Sequence, residues 1–181
     1  MKFKSKGFTL IEIMVSTAIL SILLSVIFSI FISTQKNIKK TEIKSELQLN
    51  AKKLLECINR TMQAGYIYSI SNNNVNFINS TSENLIIDNI VLKNDDGETF
   101  TFNLDKNTHK LFYSYDGGQF NKSDVIENVH NIKVSIINGE SGTTYKECDS
   151  LKLSVTLAKN GPYKDIIDYV VTTNLYFRNA N

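Results

Sequence analysis

The hydrophobic pattern divides the chain into three stretches. From Phe8 to Ser33 nearly every position is apolar or small, and the one charged residue is Glu12. A hydrocarbon core about 30 Å thick needs roughly 20 apolar residues of helix, so this run predicts a membrane-spanning helix. It holds neither glycine nor proline, and no kink at a helix breaker is expected. Beyond it the apolar positions thin to one stripe. Leu47, Ala51, Leu54, Leu55, Ile58 and Met62 step by three or four, while Lys44, Gln48, Lys52, Lys53 and Glu56 fill the other faces. That spacing predicts an amphipathic continuation of the same helix, with Gly65 as a natural C-terminal stop.

After Gly65 the period changes to two. Tyr66–Ile70, Val75–Ile78, Leu85–Lys93, Glu98–Leu104, Thr108–Tyr115, Val129–Ile137, Leu151–Leu157 and Ile166–Phe177 read as strands. Turn residues punctuate them at Asn94-Asp95-Asp96-Gly97, Lys106-Asn107, Asp116-Gly117-Gly118 and Lys159-Asn160-Gly161-Pro162. Alternating apolar residues bounded by such turns predict hairpins. The expected architecture is α+β: a long N-terminal helix whose second half packs its stripe on an antiparallel β-sheet.

Glu12 is the anomaly in the apolar run. A carboxylate inside a membrane helix costs about 2.5–3.5 kcal/mol on insertion scales, which marks it as a candidate functional group. It also falls in the first helical turn, where negative charge suits the dipole. Thr17, Ser21, Ser25, Ser29 and Ser33 recur every fourth residue and lie along one stripe of the helix. Small residues at that spacing let membrane helices approach closely. Alternatively, each hydroxyl bonds back to its own helix and is merely tolerated. The run is too long for a cleaved secretory signal, whose apolar core has about 7–15 residues. Lys2, Lys4 and Lys6 precede it and Lys36, Lys39, Lys40 and Lys44 follow it, so flanking charge alone does not orient the helix.

The opening residues resemble the class III signal of type IV pilins and pseudopilins: a short basic leader ending at Gly7, then Phe8-Thr9-Leu10-Ile11-Glu12 and an unbroken apolar helix. The resemblance covers about residues 2–33. It implies that a prepilin peptidase removes residues 1–7 by cutting between Gly7 and Phe8, and methylates the amine of Phe8. It implies that residues 8–33 are the transmembrane and assembly half of the helix, 34–65 its amphipathic half and 66–181 an exported β-domain. Before assembly the N-terminus would be cytoplasmic and the C-terminal domain outside the cytoplasmic membrane; afterwards the subunit would lie in a cell-surface pilus. The implied partners are prepilin peptidase, other pilin or pseudopilin subunits and the pilus assembly platform. Looser similarities at Arg60–Tyr66 and Thr172–Asn179 point toward PilW-like and J-type minor pilins. The chain departs from many major pilins in lacking a helix breaker within the anchor. A minor pseudopilin of a secretion or DNA-uptake system, or a tip adhesin, is the alternative.

The remaining chemistry is sparse. The chain has 20 Lys and Arg against 18 Asp and Glu. Loss of the three leader lysines leaves it almost neutral, with no global attraction for nucleic acid. Tyr113, Tyr115, Lys106, Lys110 and Lys122 could form a small aromatic-basic patch, but ordinary outward-facing strand residues explain them more simply. His109 and His130 stand on separate expected strands, without partners at metal-ligand spacing. No metal, cofactor or catalytic motif is expected, and the chain reads as a non-enzyme. Cys57 and Cys148 are a candidate disulfide, since exported domains retain such bonds; two buried free thiols are the other reading.

Overall fold

A computed structural model describes residues 9–61, 65–82, 84–117, 121–137 and 142–177. The chain forms two compact units, Met1–Thr41 and Glu42–Asn181. One helix, α1 (Leu10–Thr61), is followed by ten strands. Within the first unit, the apolar helical residues from Leu10 to Ile32 are exposed. A helix with apolar residues on every side finds no partner of its own in this unit, as expected of a segment meant for lipid or for other helices.

The second unit is an α+β domain. The strands are β1 (Tyr66–Asn72), β2 (Val75–Asn76), β3 (Leu85–Ile87), β4 (Asn89–Lys93), β5 (Thr99–Asp105), β6 (Lys110–Asp116), β7 (Asn121–Glu127), β8 (Val129–Ile136), β9 (Ser150–Asn160) and β10 (Ile166–Tyr176). They make two antiparallel sheets instead of the single sheet expected, in the orders β2-β1-β4-β5-β6-β7 and β10-β9-β8-β3. Leu47, Ala51, Leu54, Cys57 and Ile58 of α1 are buried in one cluster with Phe100, Phe102, Leu111, Ile132, Val155 and Val171. The stripe that sequence spacing picks out is therefore the face of α1 that packs. Met62 lies outside the described residues, and Leu55 is exposed. Gly65 is not a left-handed cap; its amide donates to the Lys93 carbonyl at 2.8 Å and leads into β1.

The expected strand over Leu85–Lys93 is two strands in different sheets. Ile87 is buried in one, and Ile90 and Leu92 are buried in the other. The inward phase therefore slips by one residue between them, which strict alternation forbids in a single strand. Asp88 makes the corner. Its amide donates to the Ser71 carbonyl, its carbonyl accepts from the Leu104 amide, and its carboxylate accepts from the Asn73 amide at 2.7 Å and from Lys106 at 3.3 Å. The strand β7 had no expected counterpart. It pairs with β6 from Lys110↔Glu127 to Asp116↔Asn121.

Polar contacts fix where α1 meets the sheets. Lys159 of β9 donates to both carboxylate oxygens of Glu46 at 2.7 and 2.6 Å, and Asn128 donates to the same carboxylate at 3.1 Å. One turn on, Asn50 donates to the Glu127 carbonyl at 3.2 Å. Asn128 has φ 63° and links β7 of one sheet to β8 of the other. Asparagine tolerates that left-handed conformation better than most residues.

Replacing Leu54 with alanine removes a fully buried side chain and is expected to cost about 2–5 kcal/mol. Denaturant unfolding of the detergent-solubilised chain, followed by tyrosine fluorescence, should show the loss as a lower midpoint. The Lys159 hydrogen bond holds the Glu46 carboxyl below its ordinary value near 4.5. A depressed carboxylate stabilises the fold above that value and loses its contribution as pH falls through the folded pKa. Both side chains are more than a third exposed, so the pair is worth no more than about 0.5–1 kcal/mol. Glu46→Gln should lower stability at pH 7 by that amount, and the gap between variant and parent should close below pH 4.5.

Candidate functional site

Glu12 sits in the first turn of α1, and its surroundings explain how that turn is held. The carboxylate oxygen Oε2 accepts from the Thr9 amide and from the Thr9 hydroxyl, each at 2.8 Å, and the Glu12 amide donates back to Thr9 Oγ1 at 3.3 Å. This is a reciprocal capping box, with threonine at the N-cap and glutamate three residues later. The Thr-x-x-Glu spacing was present in the sequence and could have revealed Thr9, which the reading of Glu12 as a dipole partner passed over. Gly7 and Phe8, the expected cleavage residues, lie outside the described residues.

Along the helix, the Ser16 hydroxyl donates to the Glu12 carbonyl at 2.7 Å. Thr17 donates to Met14, Ser21 to Thr17 and Ser25 to Ile22, at 2.9, 2.7 and 2.7 Å. A hydroxyl that bonds back to the preceding turn presents little unsatisfied polarity to lipid. The same side chains remain small enough for a neighbouring helix to approach. The structure thus brings Thr9 and Glu12 together and puts the hydroxyls of Ser16, Thr17, Ser21 and Ser25 on their own backbone, and α1 is long and apolar enough to cross a membrane.

Residues 2–32 match the family model described as the prokaryotic N-terminal methylation motif. The chain carries a type IV pilin-like class III signal. A class III signal ahead of an apolar helix supports a pilin- or pseudopilin-like precursor, of a kind generally structural, and implies membrane anchoring, processing by prepilin peptidase and assembly with other pilins. The motif and the α+β domain together are consistent with a pilin fold. No curated protein and no solved structure matches the chain.

Away from the helix, the structure corrects several expectations. Cys57 and Cys148 are both buried and not bonded to each other. Cys57 Sγ lies 3.9 Å from Asp124 Oδ2 of β7, in a cleft of about 260 Å³ also lined by Lys53, Glu56 and Arg60. Cys148 instead donates to the Tyr145 carbonyl at 3.3 Å, beside the other sheet, and burial pushes its thiol up to about 11. The two thiols serve separate neighbourhoods, so no bridge joins them. The aromatic-basic patch does not exist as a surface. Tyr113 is buried against Phe102 with its hydroxyl lacking a hydrogen-bond partner, and burial raises its pKa to about 12. Tyr115 stacks on Phe100 and donates to Glu98 at 2.6 Å.

His109 and His130 are not solitary. His109 occupies a turn with φ 54°, and a bulge in β8 brings His130 against it, with ring centroids 4.2 Å apart. Among the described residues, no group of three or more His, Cys, Asp or Glu side chains is placed to hold a metal. Tyr145, unremarked in the sequence, is fully buried between strands. Its hydroxyl lies 2.8 Å from the Ser82 carbonyl and 3.1 Å from that of Val134.

Thiol titration of the denatured chain, prepared without reductant, should count two free thiols; a count of zero would contradict the separation of Cys57 and Cys148. In the folded chain at pH 8, Cys148 should alkylate at least about tenfold more slowly than an unhindered thiol, because the thiolate is the reactive form. Mass spectrometry of the labelled peptides measures this.

Proposed function

We propose that this chain is a minor pilin, a structural subunit of a type IV pilus or pilus-like filament. The observation that carries the reading is the class III motif at residues 2–32, set ahead of a fully exposed apolar helix that continues into a folded α+β domain. Prepilin peptidase cuts between Gly7 and Phe8 and methylates the new amine. The leader is then residues 1–7, the assembly half of the helix 8–33, its amphipathic half 34–65 and the exported domain 66–181. The N-terminus starts in the cytoplasm and the domain outside, with the assembly platform drawing the helix into the filament at the cell surface. The minor class rests on the resemblance of Arg60–Tyr66 and Thr172–Asn179 to PilW-like and J-type subunits.

Glu12 has two roles in this scheme. In the single subunit its carboxylate completes the Thr9 cap. In the filament it faces the protonated amine of a neighbouring Phe8, since an acid left alone in an apolar bundle is costly. Thr17, Ser21, Ser25, Ser29 and Ser33 form the small stripe against which neighbouring helices close. A minor pseudopilin of a secretion or DNA-uptake system would use the same residues. Neighbouring genes for a secretin or for a pilus ATPase distinguish the two.

N-terminal sequencing of the native protein should begin at N-methyl-phenylalanine 8; a chain beginning at Met1 overturns the processing. Glu12→Gln keeps the side-chain size but removes the charge. It should reduce incorporation into filaments at least about tenfold, as expected for loss of an ion pair in an apolar setting, while the exported domain keeps its unfolding midpoint. Normal incorporation would rule out the assembly role of Glu12.

A further inference from the structure

The two sheets end in the edge strands β2, β7, β10 and β3, and all but one of these edges are blunted. The strands β2 and β3 have two and three residues, and β1 and β8 behind them are bulged, at Ile67–Ser69 and Val129–Asn131. The edge strand β7 carries Lys122, Asp124 and Glu127. Short length, bulges and charge are the usual protections of a sheet edge, because a row of unpaired amides and carbonyls is a template for another strand. The edge of β10 has none of them. It runs for 11 residues, Ile166–Tyr176, in unbroken register with β9, and its one charge is Asp168, with no lysine and no proline. Among the described residues no strand lies beyond it.

The ends of the ladder show which backbone groups β10 turns outward. The Gly161 amide donates to the Asp165 carbonyl at 2.6 Å, and the Phe177 amide donates to the Asp149 carbonyl at 2.9 Å. Both pairs continue the β9–β10 register, and hydrogen-bonded pairs alternate along an antiparallel ladder. The odd-numbered residues of β10 therefore bond to β9. The amides and carbonyls of Ile166, Asp168, Val170, Thr172, Asn174 and Tyr176 point away from it. The side chains of the same residues are all exposed, with Ile166 at 68%, Val170 at 53% and Tyr176 at 64%. Tyr169, on the other face between the buried Ile167 and Val171, is exposed as well.

We infer that β10 pairs edge to edge with β10 of a second copy of this chain, antiparallel about a two-fold axis at Val171, so that the two β10-β9-β8-β3 sheets join into one. The strand's own sequence identifies the occupant. About that axis Ile166 meets the partner subunit's Tyr176, Val170 meets the partner subunit's Thr172, and Asp168 meets the partner subunit's Asn174, on one face. On the other face Ile167 meets the partner subunit's Leu175, Tyr169 meets the partner subunit's Thr173, and Val171 meets itself. Apolar side chains thus face apolar or β-branched ones, as stable cross-strand pairs do, and the single acid faces an amide and never its own copy. A slip of two residues in either direction sets Ile166 against Asn174 or Asp168 against Tyr176, and leaves one strand end unpaired. The full register makes about a dozen inter-strand hydrogen bonds. A two-fold contact of this kind is self-complementary and closes at two copies. It lies wholly within the β-domain and depends on neither the membrane anchor nor the filament role.

Sedimentation equilibrium of the detergent-solubilised full-length chain should show a monomer–dimer equilibrium. Val170→Pro removes an outward amide that β9 does not use, a place where an edge strand tolerates proline. It should raise the dimer dissociation constant at least about tenfold, as expected for losing one hydrogen bond at each of two symmetric positions. Thr172→Lys sets two like charges beside the axis and should weaken the dimer as much with the backbone untouched; where Val170→Pro lowers the unfolding midpoint, Thr172→Lys decides. Under mild oxidation Val171→Cys should form an interchain disulfide, because a non-hydrogen-bonded pair sets its Cα atoms about 4.5 Å apart. Tyr169→Cys, roughly 13 Å from its own copy along the strand, should not. A parent chain that stays monomeric at about 100 μM overturns the inference. A dimer that neither edge variant weakens is held elsewhere, by the apolar helix for example, and overturns it too. Cross-linking of Tyr169→Cys as fast as Val171→Cys overturns the two-fold register.

Discussion

A single helix that serves two solvents must change its surface chemistry along its length, and the rest of this chain follows from that requirement. In its first half, α1 exposes apolar side chains on every side. In its second half only one stripe is apolar, and Leu47, Leu54 and Ile58 are completely buried in the domain core. Water tolerates the second arrangement without any partner beyond the domain. The first arrangement is stable only in lipid or among like helices, because thirty-odd Å of exposed hydrocarbon in water would drive aggregation. The domain is built to satisfy one half of the helix and leaves the other half for lipid or for other helices.

The polar groups follow the same division. In the apolar half, Thr9, Ser16, Thr17, Ser21 and Ser25 spend their hydroxyls on the helix itself. In the second half, Glu46, Asn50 and Arg60 reach across to β9, to the Glu127 carbonyl and to Asp124. Local hydrogen bonds make a helix that needs no particular neighbour, and long-range ones make a helix fixed in a single register against its domain. Burial of a tyrosine such as Tyr145, with two carbonyls near its hydroxyl, extends this fixed register to the loop that follows β8.

Much of this was legible in the sequence where a period was sustained. The i, i+4, i+7, i+11 spacing of Leu47, Ala51, Leu54 and Ile58 identified the packed face, and the alternation of Phe100, Phe102 and Leu104 identified an inward strand face. Where the signal rested on one residue it failed. Ile86, Ile87, Ile90, Val91 and Leu92 are all apolar, so the phase slip at Asp88 left no trace and two strands read as one. The run Asn121–Glu127 has only Val125 and Ile126 as apolar residues, side by side, so β7 gave no alternation to find. Tyr113 lies two residues from the buried Leu111 on the same strand, so alternation already put it on the inward face and the surface reading passed that over. Cysteine pairing depends on which sheet each thiol faces, and spacing along the chain carries no such information.

The clamp around Glu46 also determines how the domain bears force. A subunit drawn by its helix feels tension along the axis of α1, and that tension first meets the domain at the Lys159, Asn128 and Asn50 contacts. These bonds and the Leu47–Ile58 packing lie side by side along the helix, so an axial pull shears them together and does not peel them one at a time. A helix loaded in shear shares its tension among many contacts, whereas one lifted sideways would release them in succession. On these contacts a pull along the helix is expected to meet more resistance than one across it.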